Sequence, residues 1–323
     1  MFSVIIPNFN SASTIRDTLN SVRDAARWFD PSLVEIILVD NGSTDTSLPI
    51  IRSWHKVNTD IILRLFSETT PNSPGLARNI GLKNSVFPWV LFLDADDNFQ
   101  VDIFKELKSN IGDETSVIIF NYEIINPKSH QKRNRILHTY SRNKSELLRQ
   151  YVTLDTDNSI IAILLSKELL LKNKILFDEG YYEDIYFLFQ VILRSEYINF
   201  LDKKLYLKNN SGESITNTFS IFHIYCYTKA WKSVHNLLLD NYTGKIISNY
   251  IDKSIRGLIG QVVMNIDLAN CAESDKEQMR LHLSSCIREF YPLVDKSLIT
   301  TENTYLDQQA INFIKCYNRT HDK

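Results

Sequence analysis

The sequence lacks most features that mark secreted, membrane-spanning and zinc-binding proteins. Its 4 cysteines, among 323 residues, all lie in the C-terminal third, at Cys226, Cys271, Cys286 and Cys316. They are widely spaced and form no CxxC pair, which excludes a disulfide framework and a cysteine zinc site. No apolar run approaches the roughly 20 residues of a membrane span, and no basic leader precedes the first strand pattern. We therefore expect a cytoplasmic protein with reduced thiols in helices.

An excess of charge of one sign is also absent. The 36 Lys and Arg against 38 Asp and Glu give a net charge of -2, so we expect no broad nucleic-acid-binding surface. The chain has no GxGxxG after its first strand and no P-loop or HExxH motif, which leaves only a βαβ pattern in favour of a dinucleotide-dependent dehydrogenase. The length allows one large domain or a domain with an appendage.

The first half of the chain alternates short apolar runs with helical patterns. Strands are predicted at 3–7, 34–39, 61–66, 89–93 and 116–121, with helices at 13–29, 46–58, 74–84 and 101–107 between them. This alternation predicts βαβ units, and so an α/β fold with a mostly parallel sheet flanked by helices. From about residue 219 the pattern is helical, at 221–239, 245–269, 276–290 and 304–317.

Three aspartates, Asp94, Asp96 and Asp97, follow the apolar run 89–93. Carboxylates crowded at a strand end repel one another unless a cation holds them. Mg²⁺ and Mn²⁺ prefer hard oxygen ligands and share them with substrate phosphates, and ligands of open α/β sheets bind beyond the carboxyl ends of the strands. The cluster predicts a divalent metal that carries a diphosphate. A solvated acidic turn is the alternative.

Other polar residues follow the second strand or open helices. Asp40 can accept a hydrogen bond from an imide N–H such as that of uracil, although a plain Asx turn would use the same residue. Arg78, near the start of the helix that follows Ser73, can reach a nucleobase or a phosphate, or lie on the surface. Asp184 opens a later helix and is a candidate general base, although acidic residues suit a first helical turn on electrostatic grounds alone.

In their order along the chain, these clusters resemble the motifs of the family 2 glycosyltransferases over roughly residues 1–215. The matching segments are Ser3–Asn10 for SVIIPxYN, Glu35–Asp45 for EIIVVDDGSxD, Asn72–Gly81 for GxxxARNxG, Asp94–Asp96 for DxD, and Glu183–Phe187 for EDxxF. The chain departs from the family on the acceptor side, where 162–166 replaces a Trp-x-Lys-Leu-Phe segment, and Leu207-Lys208 and 212–215 replace Tyr-Arg and Ser-x-Ser.

The resemblance implies a GT-A fold and a role for each matching residue. Around the uracil and ribose it implies Pro7, Phe9, Asp40 and Arg78. It implies that Asp94 contacts the ribose or the sugar, that Asp96 binds Mn²⁺ or Mg²⁺, and that Asp184 is the catalytic base. The full nucleotide-sugar site is expected to comprise Pro7, Asn8, Phe9, Asp40, Asn41, Arg78, Asp94 and Ala95, with Tyr182 and Glu183 on the acceptor side.

The implied reaction is inverting, metal-dependent transfer of a hexose (glucose, galactose or N-acetylhexosamine) from a UDP-sugar to a hydroxyl of a glycan. We expect the acceptor to be a polyprenyl-diphosphate-linked precursor of capsule or O-antigen. A catalytically silent nucleotide-sugar-binding or scaffold protein of the same fold is the alternative.

The expected organisation is a catalytic domain over 1–218, with a nucleotide-sugar half at about 1–100 and an acceptor half at about 101–218, followed by a helical region over 219–323. The last helices could contact the inner face of the cell membrane, form a homodimer or pack on the catalytic domain. A basic stretch at 127–144 is read as a solvated loop or a flexible segment near an anionic substrate.

Overall fold

The structure is a computed structural model that describes residues 1–68, 73–125, 143–157, 159–209 and 219–291, and the backbone of 132–135. It divides into two compact units. The first, here the α/β unit, comprises Met1–Leu147 and Asn158–Ser211; the second, the helical unit, comprises Leu148–Asp157 and Gly212–Lys323. The domain boundary expected after residue 218 stays a prediction.

The α/β unit alternates strands and helices, as its sequence predicts. In chain order the elements as far as β9 are β1 (Phe2–Asn8), α1 (Ile15–Phe29), β2 (Val34–Asn41), α2 (Ser47–Val57), β3 (Ile62–Glu68), α3 (Pro74–Asn84), β4 (Trp89–Phe92), β5 (Asn98–Phe99), α4 (Ile103–Ser109), β6 (Val117–Ile125), β7 (Lys132–Arg135), α5 (Lys144–Val152), β8 (Ile163–Ser166), α6 (Lys167–Lys172), α7 (Glu183–Arg194) and β9 (Ile198–Asn209). Helix α5 begins in the α/β unit and belongs to the helical unit from Leu148 onward. The start of α3 follows from Ser73, whose hydroxyl accepts a hydrogen bond from the amide of Leu76, and from the proline in the first helical turn.

Nine strands of the described residues form one sheet in the order β3-β2-β1-β4-β8-β6-β9-β5, with β7 paired to β6. The strands β3, β2, β1 and β4 run parallel, so their carboxyl ends lie along one edge. All residues of β2 and β4 are buried, as expected for parallel strands covered by helices on both faces. The mostly parallel sheet flanked by helices is confirmed.

Two features of the α/β unit differ from the sequence-based expectation. The apolar run at 162–166 contains β8, which is antiparallel to both β4 and β6. Within the basic stretch 127–144, the segment Lys132–Arg135 is a strand paired with β6, so the expectation of a loop is wrong there. Residues 126–131 and 136–142 lie outside the described residues.

The helical unit contains α8 (Ile221–Asn241), α9 (Lys245–Leu268) and α10 (Glu273–Phe290), which pack on one another. The helix expected at 304–317 lies outside the described residues. Cys226 and Cys286 are buried in helices and form no disulfide within the described residues, as expected, whereas Cys271 is exposed in the turn before α10. Over the described residues, none of the helices is both long and apolar enough to cross a bilayer.

Candidate active site

The ends of β1 and β2 are joined by a buried amide and a buried carboxylate. Asn8 and Asp40 lie opposite one another in the parallel register. The Asn8 side-chain amide donates to Asp40 Oδ1 at 2.7 Å and to the hydroxyl of Ser43 at 3.1 Å. The backbone amide of Ser43 donates to the other carboxylate oxygen of Asp40 at 3.2 Å. Asp40 therefore fixes the start of the loop after β2, and each of its oxygens keeps a lone pair for a further donor.

A second set of bonds fixes the loop after β1. Asn10 has a left-handed backbone, with φ 49°. Its side-chain oxygen accepts hydrogen bonds from the amides of Thr44 at 2.8 Å and Asp45 at 3.3 Å. Phe9 lies between these anchors with 49% of its surface exposed, so its ring is an open face on which a base could stack. Of the other residues expected here, Pro7 is half-buried and Asn41 is buried.

The acidic segment after β4 is held by the end of β9. Asp97 is buried and accepts hydrogen bonds from the Tyr206 hydroxyl at 2.6 Å and from the Asn209 amide at 2.7 Å. The Asn209 side chain donates to the backbone carbonyl of Asp96 at 2.6 Å. The sequence did not single out these two anchors. They leave the Asp96 residue itself exposed.

Helix α1 holds the same segment from the other side. The hydroxyls of Thr14 and Thr18 donate to the carbonyl of Ala95 at 2.9 Å and 3.0 Å. Ala95 itself is buried, so its side chain is part of the packing. The backbone that carries the acids is therefore fixed on both sides, and only side-chain rotation is left to adapt to a ligand.

Arg78 brings two of the predicted motifs together. Its side chain is 7% exposed and donates to Asp94 Oδ1 at 2.8 Å and to Glu183 Oε1 at 2.5 Å. The guanidinium carbon lies 5.5 Å from the centre of the Phe177 ring. Burial alone would lower the pKa of Arg78, but the charges of Asp94 and Glu183 raise it above its ordinary value. A contact between Arg78 and a nucleotide stays a prediction.

Asp184 lies in the first turn of α7, next to this ion-paired group. The residue before the helix, Tyr182, has a left-handed backbone with φ 60°. Burial and the adjacent Glu183 charge raise the pKa of Asp184 to about 7, against the opposing charge of Arg78. A carboxylate with such a pKa suits proton transfer near neutral pH.

A cluster of three aromatic rings packs at helix α7. The rings of Phe177 and Phe187 stack at 3.8 Å, and the ring of Phe92, at the end of β4, meets the Phe177 ring edge-on at 5.2 Å. All three rings are buried. Because β4 leads directly into the acidic segment, the cluster fixes α7 relative to the acids.

The acidic residues fit a divalent ion that is shared with a substrate. Among the residues that the structure describes, no group of three or more His, Cys, Asp or Glu side chains is arranged to hold a metal by itself. Mg²⁺ is commonly bound through one or two carboxylates together with substrate phosphates. Partial desolvation and the neighbouring Asp94 charge raise the pKa of Asp96. A cation at this position would offset the repulsion between the two carboxylates.

The structure thus brings Asp94, Arg78 and Glu183 into direct contact, with Asp184 beside them. It groups Pro7, Asn8, Phe9, Asp40 and Asn41 separately at the ends of β1 and β2. Asn72, in the third motif, and 212–215 lie outside the described residues.

Comparisons with known proteins bear on the family and the fold of the chain. A TarS poly(ribitol-phosphate) beta-N-acetylglucosaminyltransferase of Staphylococcus aureus is 34% identical over 119 residues, which are 36% of this chain and 20% of that protein. A cholesterol galactosyltransferase of Borreliella burgdorferi is 28% identical over 240 residues, 68% of this chain and 63% of that protein. The chain thus spans less than two thirds of either relative.

Solved structures show the same fold. S. aureus TarS 1-349 in complex with UDP superposes with a TM-score of 0.71 at 19% identity, over 99% of this chain and 92% of that one; its complex with UDP-GlcNAc gives 0.68. A mannosyltransferase from Pyrobaculum calidifontis, in complex with GDP-Man and Mn²⁺, gives 0.57 at 13% identity, over 100% of this chain and 87% of that one. The expected GT-A fold is confirmed. Residues 3–172, more than half of the chain, match the family described as Glycosyl transferase family 2, and the chain belongs to that family.

Proposed function

We propose that this glycosyltransferase moves a hexose from a UDP-sugar to a hydroxyl of a glycan with inversion at the anomeric carbon. The observation that carries the proposal is the position of Asp184 in the first turn of α7, directly after Glu183, which shares Arg78 with Asp94 of the acidic segment. The pKa of Asp184, raised to about 7 by burial and the Glu183 charge, is consistent with a base there. Such a transfer needs a base, here Asp184, and a group that binds the diphosphate, here the acidic segment with its metal ion.

The donor half of the proposal depends on the ends of β1 and β2. Pro7, Phe9 and Asp40 would surround the uracil and ribose, with the exposed Phe9 ring stacking on the base. The Asn8 bond to Asp40 holds that carboxylate in place, while Asn41 and Ala95 shape the pocket. The titles of the TarS structures, which name UDP and UDP-GlcNAc, support a uridine donor.

Asp96 would hold Mn²⁺ or Mg²⁺ together with the donor diphosphate, and Asp94 would contact the ribose or the sugar. When bound, the ion would act as a Lewis acid and offset the charge of the leaving diphosphate. Lys208 contributes from the protein side: its positive charge acts on Asp96 and opposes the rise in the pKa of that carboxyl. The neighbouring cation would also favour an anionic leaving group.

In the transfer step, Asp184 takes the proton of the acceptor hydroxyl as its oxygen attacks the anomeric carbon. The bond to the diphosphate breaks on the opposite face and UDP leaves, so the configuration inverts. With a pKa near 7, the carboxylate is largely ionised just above neutral pH and is a stronger base than an ordinary aspartate. Tyr182 and Glu183, beside it, would border the acceptor.

The acceptor is the least constrained part of the proposal. We favour a polyprenyl-diphosphate-linked capsule or O-antigen precursor. The bacterial relative TarS, named for poly(ribitol-phosphate), supports a polymeric acceptor. Contact of the helical unit with the inner face of the membrane, or a homodimer through it, stays a prediction. Flotation of the chain with anionic liposomes tests the first, and its molar mass in solution tests the second.

A donor screen tests the function without knowledge of the acceptor. The full chain is incubated with UDP-glucose, UDP-galactose, UDP-N-acetylhexosamines and GDP-mannose, with Mn²⁺ or EDTA, and nucleotide release is measured. We expect metal-dependent release of UDP from one UDP-hexose and none from GDP-mannose. Binding of UDP and Mn²⁺ by calorimetry without turnover of any donor would favour the silent binding protein instead.

A further inference from the structure

One buried cation connects the acids of the donor side with the pair of acids that opens α7. Arg78 donates from one terminal nitrogen to Asp94 and from the other to Glu183. Its Nε is buried and has no partner among the described residues. A ligand that bonded this guanidinium would have to enter the protein or displace one of the two carboxylates.

The rest of α3 is fitted to the same segment. A methyl group on Gly75 would lie 2.6 Å from Glu183 Cγ and 2.9 Å from the carbonyl oxygen of Asp178, so only glycine permits this approach. The Asn79 side chain donates to the carbonyl of Phe177 at 2.9 Å and accepts from the amide of Phe177 at 3.0 Å. Together with Arg78, these contacts attach α3 to the segment 177–183 at three places.

We propose that Arg78 is a positioning residue, which holds Asp94 and the first turn of α7 in one arrangement and so sets the place of Asp184 relative to the donor. The inference rests on the proposed function of this site. In this proposal, the segment 75–79 aligns Asp94 with the acids at the start of α7. The sequence had instead suggested that Arg78 contacts the nucleotide.

The physical reason lies in the charges. Without the guanidinium, Asp94 and Glu183 would be carboxylates of like charge in a largely buried site, and they would repel. Glu183 precedes Asp184 directly, so a shift of the helix start moves the base. A displacement of about 1 Å at a reacting group can cost about 100-fold in rate. Arginine suits the role because its planar guanidinium presents donors to both carboxylates in a fixed geometry, whereas the lysine ammonium is a compact charge on a flexible stem.

The test compares Arg78→Met and Arg78→Lys with a matched arginine elsewhere in the sheet. Arg64 also faces a buried carboxylate, Glu35, at 3.7 Å, lies 5.7 Å from the centre of the Phe66 ring and has a buried Nε without a partner in the described residues. Glu35, however, is near the start of β2, at the opposite end of the strands from the acids. Arg64→Met therefore controls for the loss of a partly buried arginine that faces a buried carboxylate.

For Arg78→Met we expect kcat to fall about 100-fold, with the Kd for UDP in the absence of metal unchanged within about twofold. Arg78→Lys should restore part of kcat, and Arg64→Met should keep kcat. Arg78→Met in a Glu183→Gln background should cost less than in the wild type, since the two residues act through one contact. A more than tenfold loss of UDP affinity with kcat retained would overturn the proposal and return Arg78 to the nucleotide site.

Amide hydrogen exchange separates this inference from the proposed function. Arg78→Met, or Arg78→Lys if the methionine variant does not fold, should increase exchange in 177–187, whereas Arg64→Met should not. If no donor is turned over by the wild type, the proposed function fails while the exchange result still decides whether Arg78 aligns the segment. Unchanged exchange and unchanged kcat in both Arg78 variants would exclude the role.

Discussion

The two units of the chain each bury a polar network, and the networks differ in charge. In the α/β unit, Arg78 with its two carboxylates is ionic and borders Asp184, whose pKa is raised to about 7. In the helical unit, His235 bonds the hydroxyls of Ser254 at 2.8 Å and Tyr291 at 3.0 Å. Burial and the nearby positive charge of Lys232 lower the pKa of His235 to about 3.

The difference shows what distinguishes a structural network from a reactive one. The histidine is neutral at every physiological pH and both its nitrogens are occupied, so it can only hold helices together. Asp184, in contrast, changes its protonation near neutral pH and is only half-buried. Burial of polar groups alone does not indicate a site, whereas a carboxyl whose pKa is moved close to 7 beside other acids is a candidate for one.

Substitution of Asp184 should have the greatest effect on the transfer rate. We expect Asp184→Asn to lower the transfer rate by about 10² to 10⁴, the usual contribution of a general base, while calorimetry shows unchanged UDP affinity. Asp240→Asn, at an exposed position in α8, is the control and should keep the rate. A near-wild-type rate in Asp184→Asn would remove the assignment of the base.

The second effect concerns the metal. We expect Asp96→Asn to weaken the apparent affinity for Mn²⁺ in the presence of UDP by more than about tenfold, since loss of even outer-shell partners costs about that much. Titration calorimetry measures it, with the exposed Asp113→Asn as control. Equal Mn²⁺ affinity in wild type and Asp96→Asn would place the metal elsewhere.

The third test disturbs the close packing of α3 against Asp178 and Glu183. We expect Gly75→Ala to cost about 1–3 kcal/mol of stability through overpacking and to slow transfer, because the added methyl group collides with Glu183. Gly112→Ala should be nearly neutral, since its methyl group would meet only Thr115 Oγ1, at 3.5 Å. Urea unfolding and donor hydrolysis are measured for both variants. Equal stability and equal rates in the two would contradict the collision.

The pH dependence of transfer tests the protonation of Asp184. Because the pKa of Asp184 is raised to about 7, the base is protonated below that pH, and kcat/KM should rise with pH through about 7 and then level off. The positive charge of Arg78 lowers this pKa, so the rise should move to higher pH in Arg78→Met. A profile that is flat from about pH 5.5 to 8.5 would contradict the role of Asp184 as base.

The smallest effect on activity is expected in the helical unit. His235→Phe should leave the transfer rate unchanged and cost about 1–3 kcal/mol in urea unfolding for each hydroxyl left unpaired. Since the folded pKa of about 3 is below the unfolded value of about 6.5, this contribution is present above pH 6.5 and declines as the pH falls toward 3. Loss of activity at full stability would mean that the network is not merely structural.

Local patterns predicted most of the fold of the α/β unit. Continuous apolar runs located β1, β2 and β4, and Ser73 with Pro74 located the start of α3. The direction of β8 could not be predicted, because a short apolar run is the same in a parallel and an antiparallel strand. The strand β9 was missed since its charged residues interrupt the apolar alternation.

The sequence singled out the acids of the candidate site but not the residues that hold them in place. Asp94, Asp96 and Asp184 follow from their positions at element ends. Arg78 looked like a nucleotide ligand or a surface residue, because its burial depends on Glu183, which is remote in the sequence. Tyr206 and Asn209 carry no local signal for the same reason: their partners lie in the acidic segment, far back along the chain.

The bonds from Asn209 constrain how such a chain can vary. Both its backbone amide and its side chain bind the segment that carries Asp96 and Asp97. An insertion or deletion within β9 before this residue would shift the anchor and pull the acids out of line. A change in length before Asn209 would therefore disturb the acids as well as the strand that carries it.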